Sequence, residues 1–410
     1  MNRQSTGATE ALRVVVVGGG IAGAEAMLAL RDLAGGRVAL TLVSPATELV
    51  LPALTVAEPF ALGHAQRYRL DDLLVRVEAE LIPGSLAAVD EPRREIRLDD
   101  GTVLSFDVLV IATGARPVAR LEQATTWWPG ADSEDFSGLL RDMEEGYTKR
   151  VAFVIPPGPV WPLPLYEIAM MTAREVAGMG IDGAELTVIT PEATPLALFG
   201  SQASAAVRDE LRVAGIHLET ATLIRVERGH PIQVVLQPTV RRLEVDRVVA
   251  LPGIVGPAIP GTTQDAAGFI LVGQHGQMRG SEAVWAAGDA IAYPVKFGGL
   301  ATQQADAVAA NIATRAGVET CPGVPGLKLQ GVLMTGAAPR PLGAVASTSP
   351  SAHRPMWRPT GKVFGKHLTG FLEELESSPR NEDDLSGVVI EETLPDPGSD
   401  QADIPCSLGT

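Results

Sequence analysis

The sequence predicts an α/β fold with two parallel sheets covered by helices, followed by a small C-terminal segment and an acidic tail. The first observation is the apolar run Val14–Val17, which precedes a glycine-rich turn, a helical pattern and a second apolar strand at Val38–Val43. The second observation is that the same order of strand, turn, helix and strand recurs over 151–190, with the helix predicted from about Leu163 to Gly178. Strands that alternate with helices are typical of parallel sheets. The chain therefore contains an internal duplication of one βαβ plan.

Three glycines between the first strand and the first helix predict a Rossmann-like dinucleotide-binding turn. Gly18, Gly20 and Gly23 have the spacing G-x-G-x-x-G. The first permits a tight turn, the second lets the backbone approach a phosphate, and the third allows close packing of helix on strand. The helix N-terminus then offers unpaired N–H groups to a pyrophosphate. The alternative is a purely structural glycine turn.

Two later strand ends, Thr113-Gly114 and Gly288-Asp289, add to the same site. The three motifs in this order resemble the two-dinucleotide-domain flavoproteins of the pyridine nucleotide–disulfide oxidoreductase superfamily. The resemblance implies FAD as the cofactor, with Asp289 accepting a hydrogen bond from a ribityl hydroxyl. The alternative for Asp289 is an ordinary helix N-cap.

Because the Gly-Asp motif returns after the second unit, the first domain must be discontinuous. We predict an FAD-binding domain over 11–125 and 263–320, and a second, degenerate NAD(P)-binding-like domain over 126–262. A C-terminal interface segment is predicted over 321–376, with strands between Lys328 and about Val345 and a closing helix from Trp357 to Leu375.

Within the superfamily, the chain is most similar to the branch of sulfide:quinone oxidoreductases and type II NADH dehydrogenases. The likeness covers about residues 12–375 and rests on segments 42–45, 51–52, 288–289, 299–305 and 361–363. It implies that Pro52 lies near the flavin ring and that Ser44 bonds the ribose where other folds carry an acid. It also implies that Thr302 and Gln303 open a helix whose N-terminus points at the flavin. The alternative for Ser44 is that it only ends a strand.

The turn of the second unit departs from the nucleotide-binding pattern. The expected glycine positions hold Val160, Pro162 and Leu165, and only Gly158 is a glycine. Prolines lack a backbone N–H, and this turn contains five of them, at 156, 157, 159, 162 and 164. Binding of NAD(P)H at the usual place is therefore not expected.

Thiol chemistry is not expected either. Sulfide:quinone oxidoreductases use cysteines beside the flavin, and here Trp161 and Leu333 occupy two of those positions. The two cysteines of the chain, Cys321 and Cys406, form no C-x-x-C or similar pair. The chain therefore resembles this branch but lacks its redox cysteines.

Three side chains are candidates for the catalytic site. Trp161 and the neighbouring prolines predict an apolar slot over the flavin for a flat substrate, or alternatively a rigid plug between domains. Glu167 is predicted near the flavin, or alternatively serves as a first-turn acid of its helix. Lys362 matches a lysine that sulfide:quinone enzymes place by the flavin or quinone, or alternatively faces solvent.

Charge and composition restrict the partners. The net charge is −16, of which residues 371–410 carry −10, with eleven acidic residues against one arginine. This composition predicts a disordered tail over 377–410 and argues against nucleic acid and stable membrane association.

The histidines show no ligand spacing, so no metal site is predicted. The cysteine usage predicts the cytoplasm, and a homodimer is left open as an assembly state.

We therefore expect a soluble FAD-dependent oxidoreductase. It would move two electrons through the flavin between a small-molecule donor and a small acceptor, with a quinone as the candidate acceptor. One alternative is an NAD(P)H dehydrogenase that holds nicotinamide in a non-standard way, through Trp161 and Thr190 or Glu192. Another is a flavin-bound sensor or scaffold without turnover.

Overall fold

The structure is a computed structural model that describes residues 11–62, 65–128, 133–320, 327–337, 340–343, 362 and 365–377. Its strands are β1 (Leu12–Val17), β2 (Val38–Ser44), β3 (Glu48–Val50), β4 (Arg67–Arg69), β5 (Glu80–Pro83), β6 (Leu86–Asp90), β7 (Glu95–Leu98), β8 (Val103–Ser105), β9 (Val108–Ile111), β10 (Arg116–Val118), β11 (Thr125–Thr126), β12 (Arg150–Val154), β13 (Glu185–Ile189), β14 (His217–Glu219), β15 (Leu223–Glu227), β16 (Ile232–Gln237), β17 (Arg242–Val245), β18 (Arg247–Ala250), β19 (Gly253–Val255), β20 (Val284–Ala286), β21 (Gln330–Leu333) and β22 (Arg340–Gly343). Its α-helices are α1 (Ile21–Ala34), α2 (Leu70–Val77), α3 (Ser133–Glu144), α4 (Leu163–Gly178), α5 (Ser201–Val213), α6 (Gly298–Arg315) and α7 (Leu368–Ser377).

The first unit is built on a parallel sheet with the strand order β20-β9-β1-β2-β5. The run Val14–Val17 is buried on both faces, as expected of a central parallel strand. Helices α1 and α6 pack together on one face, and the antiparallel strands β6–β8 lie over the other. Because β20 pairs with β9, the prediction of a discontinuous first domain is confirmed.

The second unit repeats this plan. Its parallel sheet has the order β11-β18-β12-β13-β14, with α4 packed on one face and the antiparallel strands β15–β17 on the other. Helix α4 has the bounds that the sequence predicts, and the predicted α/β fold class with two Rossmann-like units is confirmed. The domain limits at 125, 126, 262 and 263 stay predictions.

The C-terminal segment packs on both units. Strands β21 and β22 form an antiparallel hairpin, as predicted between Lys328 and Val345. The predicted closing helix is wrong at its start: α7 begins at Leu368, and residues 357–361 lie outside the described residues. The tail from 378 onward also lies outside them.

Helix α7 begins at Leu368 because a buried carboxylate from α1 caps it there. Glu25 is fully buried and accepts hydrogen bonds from the backbone N–H groups of His367 at 2.8 Å and Leu368 at 2.7 Å. A Cβ added to Gly365 would lie 2.5 Å from a Glu25 oxygen, so only glycine fits there without rearrangement. None of the helices in the described parts of the chain is long and apolar enough to span a membrane.

Candidate functional site

A cavity of about 770 Å³ lies at the carboxyl ends of the first sheet and extends to the second unit. Its walls include the turns that follow β1, β2, β9 and β20. In doubly wound sheets, ligands bind at the carboxyl ends of the strands, where neighbouring connections diverge to opposite faces. The position of the cavity is therefore that of a dinucleotide site.

The three glycines have the geometry of a phosphate turn. Gly18 has a φ of +111°, and a Cβ there would lie 2.3 Å from the Ala112 carbonyl oxygen. A Cβ on Gly23 would lie 1.8 Å from the Gly18 carbonyl oxygen, whereas a Cβ on Gly20 would meet no protein atom within 4 Å. Gly18 and Gly20 line the cavity, and no side chain caps the N-terminus of α1. The turn is thus open to an anion at Gly20 and tightly packed at the other two glycines.

The other two strand ends also face the cavity. Thr113, Gly114, Gly288 and Asp289 all line it. The Gly288 N–H donates to the Gln304 side chain at 2.9 Å, which ties this turn to α6. Burial raises the pKa of the Asp289 carboxyl, and the nearby Lys296 ammonium opposes that rise.

Ser44 and Pro52 line the cavity as well, but the Ser44 hydroxyl already has partners. Its Oγ donates to the Ala46 carbonyl at 3.0 Å and accepts from the Ala46 N–H at 3.1 Å. The hydroxyl therefore closes the turn after β2. Pro52 begins a 3₁₀ segment that extends to Phe60.

Gln303 does not line the cavity. Its side chain donates to the carbonyls of Gly299 and Lys328 and accepts from the Lys328 N–H, so it anchors the segment before β21. The expected helix start at Thr302 is wrong, because α6 already begins at Gly298. Burial of Gly299 and its successors against the first unit outweighs the low helix propensity of glycine. Gly298 and Ala301 of α6 line the cavity instead.

Glu167 and Lys362 meet in a buried ion pair on the cavity wall. The Lys362 Nζ lies 2.7 and 2.9 Å from the two carboxylate oxygens and also donates to the Ala53 carbonyl at 3.0 Å. Glu167 further accepts a hydrogen bond from the Met334 N–H at 2.9 Å. Burial raises the pKa of Glu167, and the Lys362 ammonium opposes the rise. Two of the three predicted catalytic side chains are thus in direct contact.

Trp161, the third, belongs to an aromatic cluster that joins the two units. Its ring stacks on Phe297 with centroids 4.5 Å apart and meets the edge of Phe199 at 5.7 Å. Trp161 and Phe297 both line the cavity, and so do Trp127 and Trp128. The cavity therefore has an aromatic end beside the ion pair.

The proline-rich turn of the second unit forms wall rather than a phosphate cradle. Val160, Trp161, Leu163 and Pro164 present apolar surface to the cavity. Leu333, at the other expected cysteine position, is buried in β21, and Cys321 lies outside the described residues.

At the end of β13, an acid that could bind a ribose is already satisfied. Glu192 accepts hydrogen bonds from the Tyr166 hydroxyl at 2.7 Å, the Thr190 hydroxyl at 3.1 Å and the Leu196 N–H at 3.1 Å. Burial raises the pKa of Tyr166, which keeps its hydroxyl a donor. Burial also raises the pKa of Glu192.

Sequence reasoning missed Lys296, Phe297 and Gln304. The segment that contains Lys296 and Phe297 follows the Gly-Asp motif without a recognisable pattern of its own. Gln304 directly follows the predicted Gln303, and its side chain bonds the Gly288 N–H. Sequence spacing also concealed a cluster outside the cavity, in which ligand-type atoms of Glu25, Asp306 and His367 lie within 4.8 Å of one another.

The chain is similar to known redox proteins over most of its length. The family model described as pyridine nucleotide-disulphide oxidoreductase matches residues 12–154 and 167–313. The ferredoxin reductase component of a chlorobenzene dioxygenase from Cupriavidus sp. (strain PS12) is 27% identical over 347 residues, which is 77% of each chain. The sulfide:quinone oxidoreductase from Aquifex aeolicus has a similar structure, with a TM-score of 0.72, 22% identity and coverage of 80% of this chain and 82% of that one. A ferredoxin reductase from Rhodopseudomonas palustris gives a TM-score of 0.59 at 21% identity, covering 78% and 79% of the two chains.

The fold and the cavity define an oxidoreductase of the flavoprotein class with two dinucleotide-binding units. With a family match over more than half of its residues, the chain belongs to the pyridine nucleotide-disulphide oxidoreductase family.

Proposed function

We propose that the protein binds FAD without a covalent link and passes two electrons through it to a small acceptor, with a quinone as the preferred candidate. The observation that carries this proposal is that one cavity contains both the glycine turn and the Glu167–Lys362 pair. The cavity volume of about 770 Å³ lies within the usual range for cofactor sites. The open approach at Gly20 and the Asp289 carboxyl fit a pyrophosphate and a sugar hydroxyl, respectively.

Bound FAD supplies a ring that accepts two electrons and returns them. The protein supplies an apolar surface for the substrate and a proton for the quinone oxygen. Trp161 and Phe297 exclude water from one end of the cavity and offer a flat face to a flat substrate. Reduction of a quinone creates negative charge on its oxygens, which the Lys362 Nζ stabilises and protonates. Glu167 orients this ammonium, because its two carboxylate oxygens accept hydrogen bonds from the Lys362 Nζ.

NAD(P)H is not the proposed electron donor. The turn that would hold its pyrophosphate lacks five backbone N–H groups, and the carboxylate at the end of β13 is already bonded to Tyr166 and Thr190. A ribose would have to displace those donors, and each lost hydrogen bond costs about 1 kcal/mol. These bonds disfavour the alternative of a non-standard nicotinamide site at Trp161, Thr190 and Glu192.

The names of the relatives give a second candidate acceptor. Proteins called ferredoxin reductases match this chain over three quarters of their length, so a small electron-carrier protein is the alternative to a quinone. The apolar, aromatic end of the cavity favours the quinone, because an electron-carrier protein does not need an apolar slot beside the flavin. A flavin-bound sensor or scaffold without turnover is the remaining alternative.

The proposal extends to partners and location. We propose a small-molecule donor and acceptor, no nucleic acid and no stable membrane association, because the chain carries a net charge of −16. The cytoplasm follows from the cysteine usage.

The cofactor and the acceptor can be tested on one preparation. Acid or heat should release a flavin with the mass of FAD, and protein reduced with dithionite should then be reoxidised anaerobically by a water-soluble quinone. With FAD bound, reduced Lys362→Met should be reoxidised more slowly than wild type by the quinone. Ferricyanide takes up no proton, so it should reoxidise both proteins at the same rate. Release of FMN would refute the cofactor assignment. If the quinone reoxidises wild type as slowly as it reoxidises Lys362→Met, the proposal of a quinone as the acceptor would be refuted.

A further inference from the structure

Lys296 is a buried lysine without a carboxylate partner among the described residues. It is 3% exposed, and its Nζ donates to the carbonyl oxygens of Asp289 at 3.0 Å and Ile291 at 2.5 Å. The Nζ also lies 3.9 Å from the centre of the Phe269 ring. In contrast, Lys362, which is also buried, is neutralised by Glu167. A buried ammonium held only by carbonyls and a ring is costly, so a nearby anion should compensate for it.

Asp289 is that anion. It lines the cavity, and no described group donates a hydrogen bond to its carboxylate. Burial lowers the pKa of Lys296 to about 8, and the charges of Asp289 and Asp265 oppose this change. Asp265 is itself bonded to the N–H groups of Ala267 and Phe269. Of the two acids, only Asp289 lines the cavity.

The bonds of Lys296 also fix the turn that contains Asp289. The two carbonyls belong to Asp289 and Ile291, which surround the end of the 3₁₀ turn Gly288–Ala290. On its other side the turn is held by the bond between the Gly288 N–H and Gln304. Lys296 therefore bridges two carbonyls of this turn and lies behind it.

We propose that Lys296 is a positioning residue for the cofactor: it holds the turn after β20 through two of its carbonyls and so places the Asp289 carboxylate toward the cavity, where Asp289 accepts a cofactor hydroxyl. This inference rests on the proposed binding of FAD. The sequence motif identifies Asp289 alone, and Lys296 is the group that makes Asp289 an effective acceptor.

The test is a double-mutant cycle on FAD affinity with D289N, K296M and the double variant. FAD-loaded protein is diluted, and the fluorescence of released FAD gives the Kd. Each single substitution should weaken binding roughly tenfold, as expected for loss of one charge-assisted hydrogen bond. The double variant should bind about as weakly as D289N alone, because Lys296 acts through Asp289.

The outcomes separate the inference from the proposed function. Unchanged affinity in D289N would refute the placement of FAD at Asp289. Weaker binding in D289N together with unchanged binding in K296M would overturn the role of Lys296, and so would fully additive effects in the double variant.

A pH titration keeps the test decisive if K296M does not fold. Bound FAD should favour charged Lys296, so wild-type affinity should fall as the pH rises through about 8 and Lys296 loses its proton. D289N should show a smaller fall, since the acceptor that Lys296 supports is absent. Wild-type affinity that stays constant between about pH 7 and pH 9.5 would overturn the inference.

Discussion

Gly18 and Gly23 leave no room for a side chain, whereas Gly20 faces open space. The glycines of this turn therefore have two roles: Gly18 and Gly23 permit close packing, and Gly20 leaves space for a ligand. A methyl group at Gly23 must displace the backbone that forms the turn. A methyl group at Gly20 meets no protein atom but stands where a phosphate would approach.

Gly23→Ala and Gly20→Ala form a matched pair for this argument. We expect Gly23→Ala to lose several kcal/mol of stability through overpacking and to be recovered with little flavin. Gly20→Ala should change the free energy of unfolding by less than about 1 kcal/mol while weakening FAD binding. Thermal unfolding and flavin content measure both effects. A stable, FAD-loaded Gly23→Ala protein would contradict the prediction.

The Glu167–Lys362 pair predicts a pH-dependent loss of stability in Lys362→Met. Without the ammonium, the pKa of Glu167 rises further, so the folded protein binds the proton more tightly than the unfolded chain. Stability then falls as the pH rises above about 4.5, the ordinary value for this group. We expect a loss of about 3–5 kcal/mol at pH 8 and a smaller loss at pH 5.

The double variant Glu167→Gln/Lys362→Met is the control for that measurement. It removes both charges and should recover much of the stability at pH 8. Chemical denaturation at the two pH values gives the comparison. A loss that is equal at both pH values would show that the pair contributes packing rather than charge.

At the scale of elements, a cluster of Glu25, Asp306 and His367 lies at the start of α7. Glu25 caps the helix, and the carboxyl of Asp306 on α6 faces Glu25, with His367 3.7 Å away. Burial and the charge of Glu25 raise the pKa of Asp306 to about 8. The same segment carries Lys362 to the cavity, so the cap and the ion pair are linked through the chain.

This cluster predicts that stability falls as the pH rises from about 4 to about 8. Folded Asp306 retains its proton in this range, while the unfolded residue, with its ordinary pKa of 3.8, does not. Asp306→Asn should therefore flatten the dependence and stabilise the protein at pH 8 by on the order of a kcal/mol. Asp32→Asn, at an exposed position near the same histidine, is the control and should change little. Unfolding curves at four pH values suffice, and an Asp306→Asn protein less stable than wild type at pH 8 would contradict the account.

The sequence predicts well the elements whose signals are local. The β-branched run of β1 and the glycines after it identify the first βαβ unit, and α4 is predicted with both ends correct. The start of α6 is missed because burial overrides the low helix propensity of Gly298 and Gly299. The start of α7 depends on Glu25, more than 300 residues away in the sequence, and no local pattern reports such a partner.

In the candidate site, too, residues with a local motif were predictable and residues that depend on distant contacts were not. The turns proposed to hold the cofactor have motifs, so Gly18, Gly20, Gly288 and Asp289 could be predicted from the sequence. Lys296 has no motif, since its role depends on two carbonyls and a ring brought together by the fold.

At the scale of the whole molecule, the aromatic cluster connects the two units across the cavity. Trp161 comes from the second unit, and Phe297 lies just before α6 of the first. Trp161→Ala should retain FAD but change the rate of reoxidation by quinones, at a cost of about 2–3 kcal/mol, because the ring is only partly buried. Trp161→Phe keeps an aromatic ring and should behave like wild type. Unchanged rates across quinones of different size in folded Trp161→Ala would place the substrate elsewhere.

The central claim is that this two-unit fold uses its second unit as a wall for the substrate rather than as a nicotinamide site. The most direct test is to mix FAD-loaded protein anaerobically with NADH or NADPH and to follow the flavin absorbance, with dithionite-reduced protein mixed with a quinone as the comparison. We predict that NADH and NADPH leave the flavin oxidised, whereas the quinone restores the absorbance of oxidised flavin in the reduced protein. Rapid bleaching by NADH or NADPH at micromolar concentration would contradict it.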